Sequence, residues 1–506
     1  MSWLITTSFA PAQIPQVSKY DVFERTILQD SDAYSNVWQD VTIDVTLTSP
    51  SQANHHIQGF FHSRDTWKFR FAPNETGTWT WVYEFKNGPT VVTSGSGSFQ
   101  CVPSSNPGFV RKNPGNPYRW VFDDGSSFHP FGLQDCLNVN TSASYRIGDG
   151  HWRSFPDYIS TYRSAGFNIW RLNVKNCSFD PVSNSSFTLF NENALKSFDQ
   201  YARWLRERGM RIYFPLFGFD VPDDPALIDS VKRYLSHMVN RYGAYVDFWE
   251  LGNEVPVGNY SNPWLEQMAS HVRSVDPYGH PVSMSWERPE SSFVDINSPH
   301  RYLTEPLTNL AIRWNGLYDA YRSWGKPVIL GEVGNLVCNN APDTPYRWRV
   351  TSWIGFFKEC SLIYWNTPGV TYCPGVAAAN VDMNQAFRDS MTAFGEFIDG
   401  FDPDARIDPV TPSIPGVFAY ALDGPRNYGL YLYAQNNPLG TTSGLQVNIN
   451  SGWEGAGDWV RPSDGTVISS VTLPAGPSTL NVPNFQGDCP QGRSILPGRY
   501  RIGGAG

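Results

Sequence analysis

Between residues 128 and 400 the chain alternates short apolar runs with longer stretches whose apolar residues recur every three or four positions. That alternation constrains the fold more than any other feature. Strands separated by helices pair in parallel and carry the helices on the outside of the sheet. The apolar runs lie at 128–133, 168–173, 211–216, 246–251, 281–286, 293–296, 327–331 and 361–365, and eight of them predict an α/β fold, a (β/α)8 barrel. Leu195, Phe198, Tyr201 and Leu205 form one helical stripe, stopped by Gly209. Asp224-Pro225 is a start signal for the next, with Ile228, Val231, Leu235 and Met238 on its inner face. One unit departs from the pattern. Residues 287–292 are too few for a parallel crossover of roughly ten or more residues, so either the fifth helix shrinks to a single turn or the strand boundaries shift there.

The flanks read differently. Residues 15–103 carry short runs with period two, such as Val41-Thr42-Ile43-Asp44-Val45-Thr46-Leu47, divided by turn residues. This is the pattern of a β-sandwich. Residues 104–118 are a connector rich in Pro, Gly and Asn. From about residue 401 the helices stop, and short strands return at 416–422, 429–434, 446–450, 457–461, 467–473 and 498–503. The expected organisation is an N-terminal segment (1–14), an immunoglobulin-like β-sandwich (15–118), the barrel (119–400) and a C-terminal β-sandwich (401–506). Each sandwich is expected to pack and stabilise rather than to bind ligand.

In a parallel barrel all strand C-termini share one face, and that face holds the site. Two predicted strands end there on a carboxylate. Asp247-Phe248-Trp249-Glu250-Leu251-Gly252-Asn253-Glu254 delivers Glu254 after the fourth strand. Lys326-Pro327-Val328-Ile329-Leu330-Gly331-Glu332 delivers Glu332 from the seventh. Two carboxylates about 5 Å apart suffice for glycoside hydrolysis with retention, one as acid and then base, the other as nucleophile.

The barrel resembles the retaining glycoside hydrolases of clan A, on Trp249-Glu250-Leu251-Gly252-Asn253-Glu254 and Leu330-Gly331-Glu332. The flanks strengthen that likeness. Lys19-Tyr20-Asp21-Val22-Phe23-Glu24, Asn36-Val37-Trp38-Gln39-Asp40-Val41 and the run from Phe69 to Trp79 resemble an immunoglobulin-like domain of uncharacterised function that precedes the barrel in apiosidase-like and related bacterial polysaccharide-degrading enzymes. The resemblance implies Glu254 as acid/base, Glu332 as nucleophile and Asn253 as the partner of the sugar 2-hydroxyl. It implies Arg171 beside the nucleophile, Tyr302 bonded to it, His300 at sugar hydroxyls and Trp365 as a platform under the sugar. Gln134, Asn138 and Trp286 lie at other strand ends and are expected to shape subsites. The charge on Glu332 is expected to hold the proton on Glu254 until the glycosyl-enzyme forms. A non-catalytic carbohydrate-binding barrel and a transglycosylase remain as alternatives.

Composition agrees with a carbohydrate partner. Aromatic residues are 15% of the chain, 19 of them Trp, and their faces stack on sugars as readily as they fill cores. The net charge of −9 and the lack of a long basic run argue against nucleic acid and anionic membranes as partners. No apolar stretch is long enough to span a bilayer. Met1-Ser2-Trp3-Leu4-Ile5 is not a secretory leader in form, which leaves localisation open. The seven cysteines show no C-x-x-C pair and are expected as free thiols. No cofactor and no metal are expected, and the oligomeric state is not readable.

Overall fold

The computed structural model describes the chain apart from residues 1–13, 136–141, 146–150, 173, 176–178, 219–221, 256–260, 303–304, 335–343, 366–384, 489–490 and 496–506. Its centre is a parallel barrel. The strands are Phe131–Asp135, Ile169–Leu172, Arg211–Pro215, Phe248–Glu250, Val282–Met284, a sixth in two pieces (Ile296–Asn297 and His300–Tyr302), Ile329–Gly334 and Ser361–Trp365. Each pairs in parallel with its neighbour, and the eighth pairs with the first through Phe131 and Leu362. The ring closes through the broken sixth strand. Its first piece pairs with the fifth strand and its second with the seventh. Pro299, which has no N–H to give a ladder, sits at the break.

Two expectations are corrected here. The sixth strand does not run over 293–296, because 293–295 are turn and bend and pairing starts at Ile296. The first strand does not begin at 128. Ser127–Phe128 pairs with Trp120–Phe122 in a small antiparallel sheet that also holds Val110–Lys112, so the supposed connector carries a strand of its own.

Helices Phe155–Ser164, Glu192–Glu207, Ile228–Tyr242, Asn262–Val275, Leu310–Arg322, Thr344–Phe357 and Gln385–Ile398 follow strands one to four and six to eight. Between strands five and six the chain makes turns and bends without a helix. The predicted stripe Leu195, Phe198, Tyr201 and Leu205 is fully buried, and Gly209 adopts φ +70°. Asp224 caps a short 3₁₀ turn, Pro225–Leu227, that leads into the third helix.

Period two along each strand divides the barrel into inside and outside. Trp170, Ile212, Phe214, Trp249, Leu330, Leu362 and Tyr364 face outward into one core shared with the helices. Ile169, Tyr213, Phe248, Ile296, Ile329 and Ile363 face inward as one apolar layer. Trp120, Phe128 and Val110 of the small antiparallel sheet join this layer, so the barrel is plugged at the N-terminal end of its strands. Two residues further along strands two and four, the inward positions become Arg171 and Glu250.

On the N-terminal side, a five-stranded sheet and a three-stranded sheet enclose Ile43, Val45, Leu47, Phe69, Trp79, Phe85 and Phe99. Two consecutive strands, Asn54–Gln58 and Phe60–Ser63, fall in different sheets. The switch falls at Gly59, where a Cβ would lie 2.9 Å from the Ile43 Cβ. These sheets are ion-paired to the barrel. Arg70 donates to Asp199 of the second helix at 2.8 Å and to the Arg241 carbonyl of the third at 2.8 Å, and Arg241 donates back to the Phe61 carbonyl at 3.0 Å.

On the C-terminal side, Val417–Asp423 and Asn427–Ala434 lead a six-stranded sheet packed on a three-stranded one. Leu430 and Leu432 point into that pair of sheets, whereas Tyr431 and Tyr433 join the barrel core, with Tyr431 stacked on Trp353 at 5.4 Å. The predicted strand at 498–503 lies outside the described residues.

Candidate active site

Glu332 owes its position to a bulge. Leu330 pairs with Leu362 and Val333 with Tyr364, so the seventh strand fits three steps against two of the eighth. A bulge of this kind re-aims a side chain, and Glu332 lies buried, 3% exposed, inside the barrel mouth. Gly331 before it has no room for a side chain, since a Cβ would fall 2.4 Å from Ser298 Oγ and 3.0 Å from His300 Nε2.

Glu254 stands past the end of the fourth strand with φ +51°, a conformation uncommon for a residue with a Cβ. Its backbone N–H donates to Ser285 Oγ at 3.0 Å, and Val255 N–H donates to the Ser285 carbonyl at 2.8 Å. The fifth strand thus clamps the backbone turn that presents the Glu254 carboxylate, whose side chain is 24% exposed.

Between them lies a buried polar layer. The Arg171 guanidinium donates to Glu250 at 2.8 Å, to Asn253 Oδ1 at 2.7 Å, to Glu332 Oε1 at 3.0 Å and to Gln134 Oε1. Tyr302 donates its hydroxyl to Glu332 Oε2. His300 Nδ1 lies 2.9 Å from Glu254 Oε1 and 3.6 Å from Glu332 Oε2. One ligand atom from each of Glu254, His300 and Glu332 can be chosen so that all lie within 4.8 Å of one another. Burial pushes the Glu332 carboxyl up. The neighbouring His300 ring, the Arg171 guanidinium and the Tyr302 hydrogen bond outweigh it and hold Glu332 below its ordinary 4.5. Burial and the Glu332 charge push the Tyr302 hydroxyl far up, so it remains a donor.

Glu254, Glu332, Asn253, Arg171, His300, Tyr302 and Gln134 therefore meet. Trp365 joins them edge-on to Tyr302, with ring centroids 5.5 Å apart. Trp286 is 41% exposed, one residue beyond Ser285. Asn138 lies outside the described residues, as do Cys136 and Cys177. His300 was expected at sugar hydroxyls; here its Nδ1 is taken up between the two glutamates. Two further site residues carried no role in the sequence reading. Glu250 is the ion partner of Arg171, signalled by a charge inside an apolar run; Ser285 supports Glu254 and gives no local signal.

Comparison with known proteins adds the following. Residues 16–86 match the family model described as "Domain of unknown function (DUF5060)". A curated relative, mannan endo-1,4-beta-mannosidase 8 of Oryza sativa subsp. japonica, is 24% identical over an alignment covering 30% of this chain and 57% of its own length. The chain thus spans little more than half of that relative. A solved putative glycoside hydrolase from Bacteroides vulgatus ATCC 8482 superposes with a TM-score of 0.67 at 15% identity, covering 95% of this chain and 100% of its own. A glycoside hydrolase family 5 structure from the same strain gives 0.53 at 14% identity, over 77% and 94%. The fold is a (β/α)8 barrel with flanking β-sheet domains.

Proposed function

We propose that this chain is a retaining glycoside hydrolase that cleaves a plant or microbial polysaccharide or oligosaccharide by double displacement. The observation that carries the reading is the spacing of Glu254 and Glu332, which offer oxygens within 4.8 Å of each other. Retaining enzymes hold their carboxylates about 5 Å apart, whereas inverting ones leave a wider gap for water.

The environments divide the roles. Glu332 is buried, paired with Arg171 and bonded by Tyr302, all of which favour its anion; it attacks the anomeric carbon. Glu254, nearer solvent, gives its proton to the leaving oxygen as the glycosidic bond breaks. The product of this step is an ester between the sugar and Glu332. Water then attacks the same carbon while Glu254 takes its proton, and the bond to Glu332 breaks with the configuration restored. Asn253 is fixed through its Oδ1 by Arg171, which leaves its amide N–H groups for a sugar hydroxyl. Trp365 lies on the nucleophile side, suited to stack under the sugar that is attacked. The rice relative is named for endo-hydrolysis of β-1,4-mannan, so β-mannan heads the substrates to try.

The test is turnover of β-mannan, xylan and a panel of aryl β-glycosides by the wild type, Glu332→Ala and Glu254→Ala. Activity in the wild type, its loss in Glu332→Ala and azide rescue with inverted product support the proposal. Equal turnover in all three proteins rejects it, and binding without turnover by the wild type favours a carbohydrate-binding barrel.

A further inference from the structure

The same carboxylates and His300 form a donor set with a second chemistry. His300 is 4% exposed, and its Nδ1 stands 2.9 Å from one glutamate oxygen and 3.6 Å from the other. Zinc binds imidazole nitrogen at about 2.0 Å and carboxylate oxygen at about 2.0–2.2 Å, so neighbouring donors of a tetrahedral site lie roughly 3.3 Å apart. Both measured separations lie close to that value. The third pair, oxygen to oxygen, lies within 4.8 Å and closes by rotating the Glu254 side chain, which is 24% exposed.

Charge points the same way, independently of spacing. Glu250, Glu254 and Glu332 place three carboxylates around the single guanidinium of Arg171. With Glu254 ionised and His300 neutral, the form that binds a metal, the three carboxylates exceed the Arg171 charge by two, which a divalent cation neutralises. Access is from the barrel mouth on the Glu254 side.

We propose that Glu254, His300 and Glu332 bind one borderline-soft divalent ion such as Zn²⁺, and that this ion is an inhibitor competing with substrate. The metal takes the place of the proton shared near His300 Nδ1 and ties up both the acid and the nucleophile, so the bound form cannot turn over. Mg²⁺ and Ca²⁺, which prefer all-oxygen shells, are excluded by the imidazole. The inhibition rests on the hydrolase reading above; the binding does not.

The experiment is calorimetric titration of the full chain with ZnCl₂ alone at pH 7, beside His300→Gln, Glu254→Gln and, as a control on the N-terminal sheets, His56→Gln. One ion per chain is expected in the wild type and in His56→Gln, with affinity at least tenfold weaker in each of the other two. Two site variants guard against one that misfolds. Unchanged affinity in both, loss in His56→Gln, or no binding at millimolar Zn²⁺ overturns the proposal. Zinc binding in a chain that hydrolyses nothing sustains the site and overturns the hydrolase reading. Turnover indifferent to saturating Zn²⁺ overturns the inhibition.

Discussion

The Arg171 guanidinium lies 2.7 Å from the Glu250 carboxylate, and neither side chain is exposed to solvent. Glu250 fixes the guanidinium that Arg171 also extends to Glu332 at 3.0 Å. Taking away one partner of a buried pair leaves the other charge uncompensated, at about 3–5 kcal/mol. Arg171 keeps Glu332 as a charge partner, so Glu250→Gln is expected to lower stability by less than that. The Arg171 guanidinium, already 3.0 Å from Glu332, then loses its fixed position, and a misplacement of about 1 Å can cost on the order of 100-fold in rate. A denaturant melt and kcat/KM on the best substrate check this; a variant with wild-type values for both would show that Arg171 is held by Asn253 and Gln134 alone.

Glu332 is held below its ordinary value of 4.5 by neighbours that outweigh burial. A depressed carboxylate contributes stability that is present above the unfolded value and lost as pH falls through the folded one. The nucleophile therefore stays charged below pH 4.5, and the acid limb of kcat/KM lies below that value. Tyr302→Phe removes a hydrogen bond that favours the Glu332 anion, worth about 1.5–3 kcal/mol, so the acid limb is expected to move up. A limb that stays in place would mean that His300 and Arg171 suffice.

Much of this was readable before the coordinates. The strand-helix alternation located seven of the eight barrel strands near their true places because each carries a mostly apolar run between helical stretches. The sixth was misplaced because its pairing segments, Ile296–Asn297 and His300–Tyr302, are short and polar and are split by Ser298-Pro299, so periodicity had nothing to act on. The carboxylates were legible from their position at strand ends. The bulge at Glu332, the positive φ at Glu254 and the Ser285 contact were not, since each depends on a neighbouring strand. The tyrosines of Leu430-Tyr431-Leu432-Tyr433 showed their alternation plainly; that one face meets the barrel follows only from where the sheet lies.

Gly331 tests how tightly the nucleophile is packed. An added methyl would press on Ser298 Oγ and on the ring of His300. Overpacking costs about 1–3 kcal/mol, and the ring is the element able to yield, toward Glu254. Gly331→Ala is expected to fold, to lose stability within that range and to lose activity by more than tenfold, with KM little changed. A crystal structure with His300 unmoved would rule out this route.

Asp199 joins the N-terminal sheets to the barrel. It is 1% exposed and accepts from Arg70 at 2.8 Å and from Arg241 at 3.0 and 2.8 Å, with His62 Nδ1 at 3.4 Å. Burial pushes its carboxyl up, but the two guanidinium groups prevail and hold it well below 3.8. Phe60 lies between the same two cations, 5.0 and 4.9 Å from its ring. Asp199→Ala strands the buried Arg241 guanidinium, while Arg70 keeps Glu24 at 2.7 Å, so a loss of about 3–5 kcal/mol is expected. The loss should fall on the sheets and on the helices Glu192–Glu207 and Ile228–Tyr242 together, because the pair spans both. Hydrogen exchange of the variant is expected to show faster amide exchange on both sides of the contact, while the strands carrying Glu254 and Glu332 keep their protection. Faster exchange confined to the N-terminal sheets would mean that the barrel stands without them.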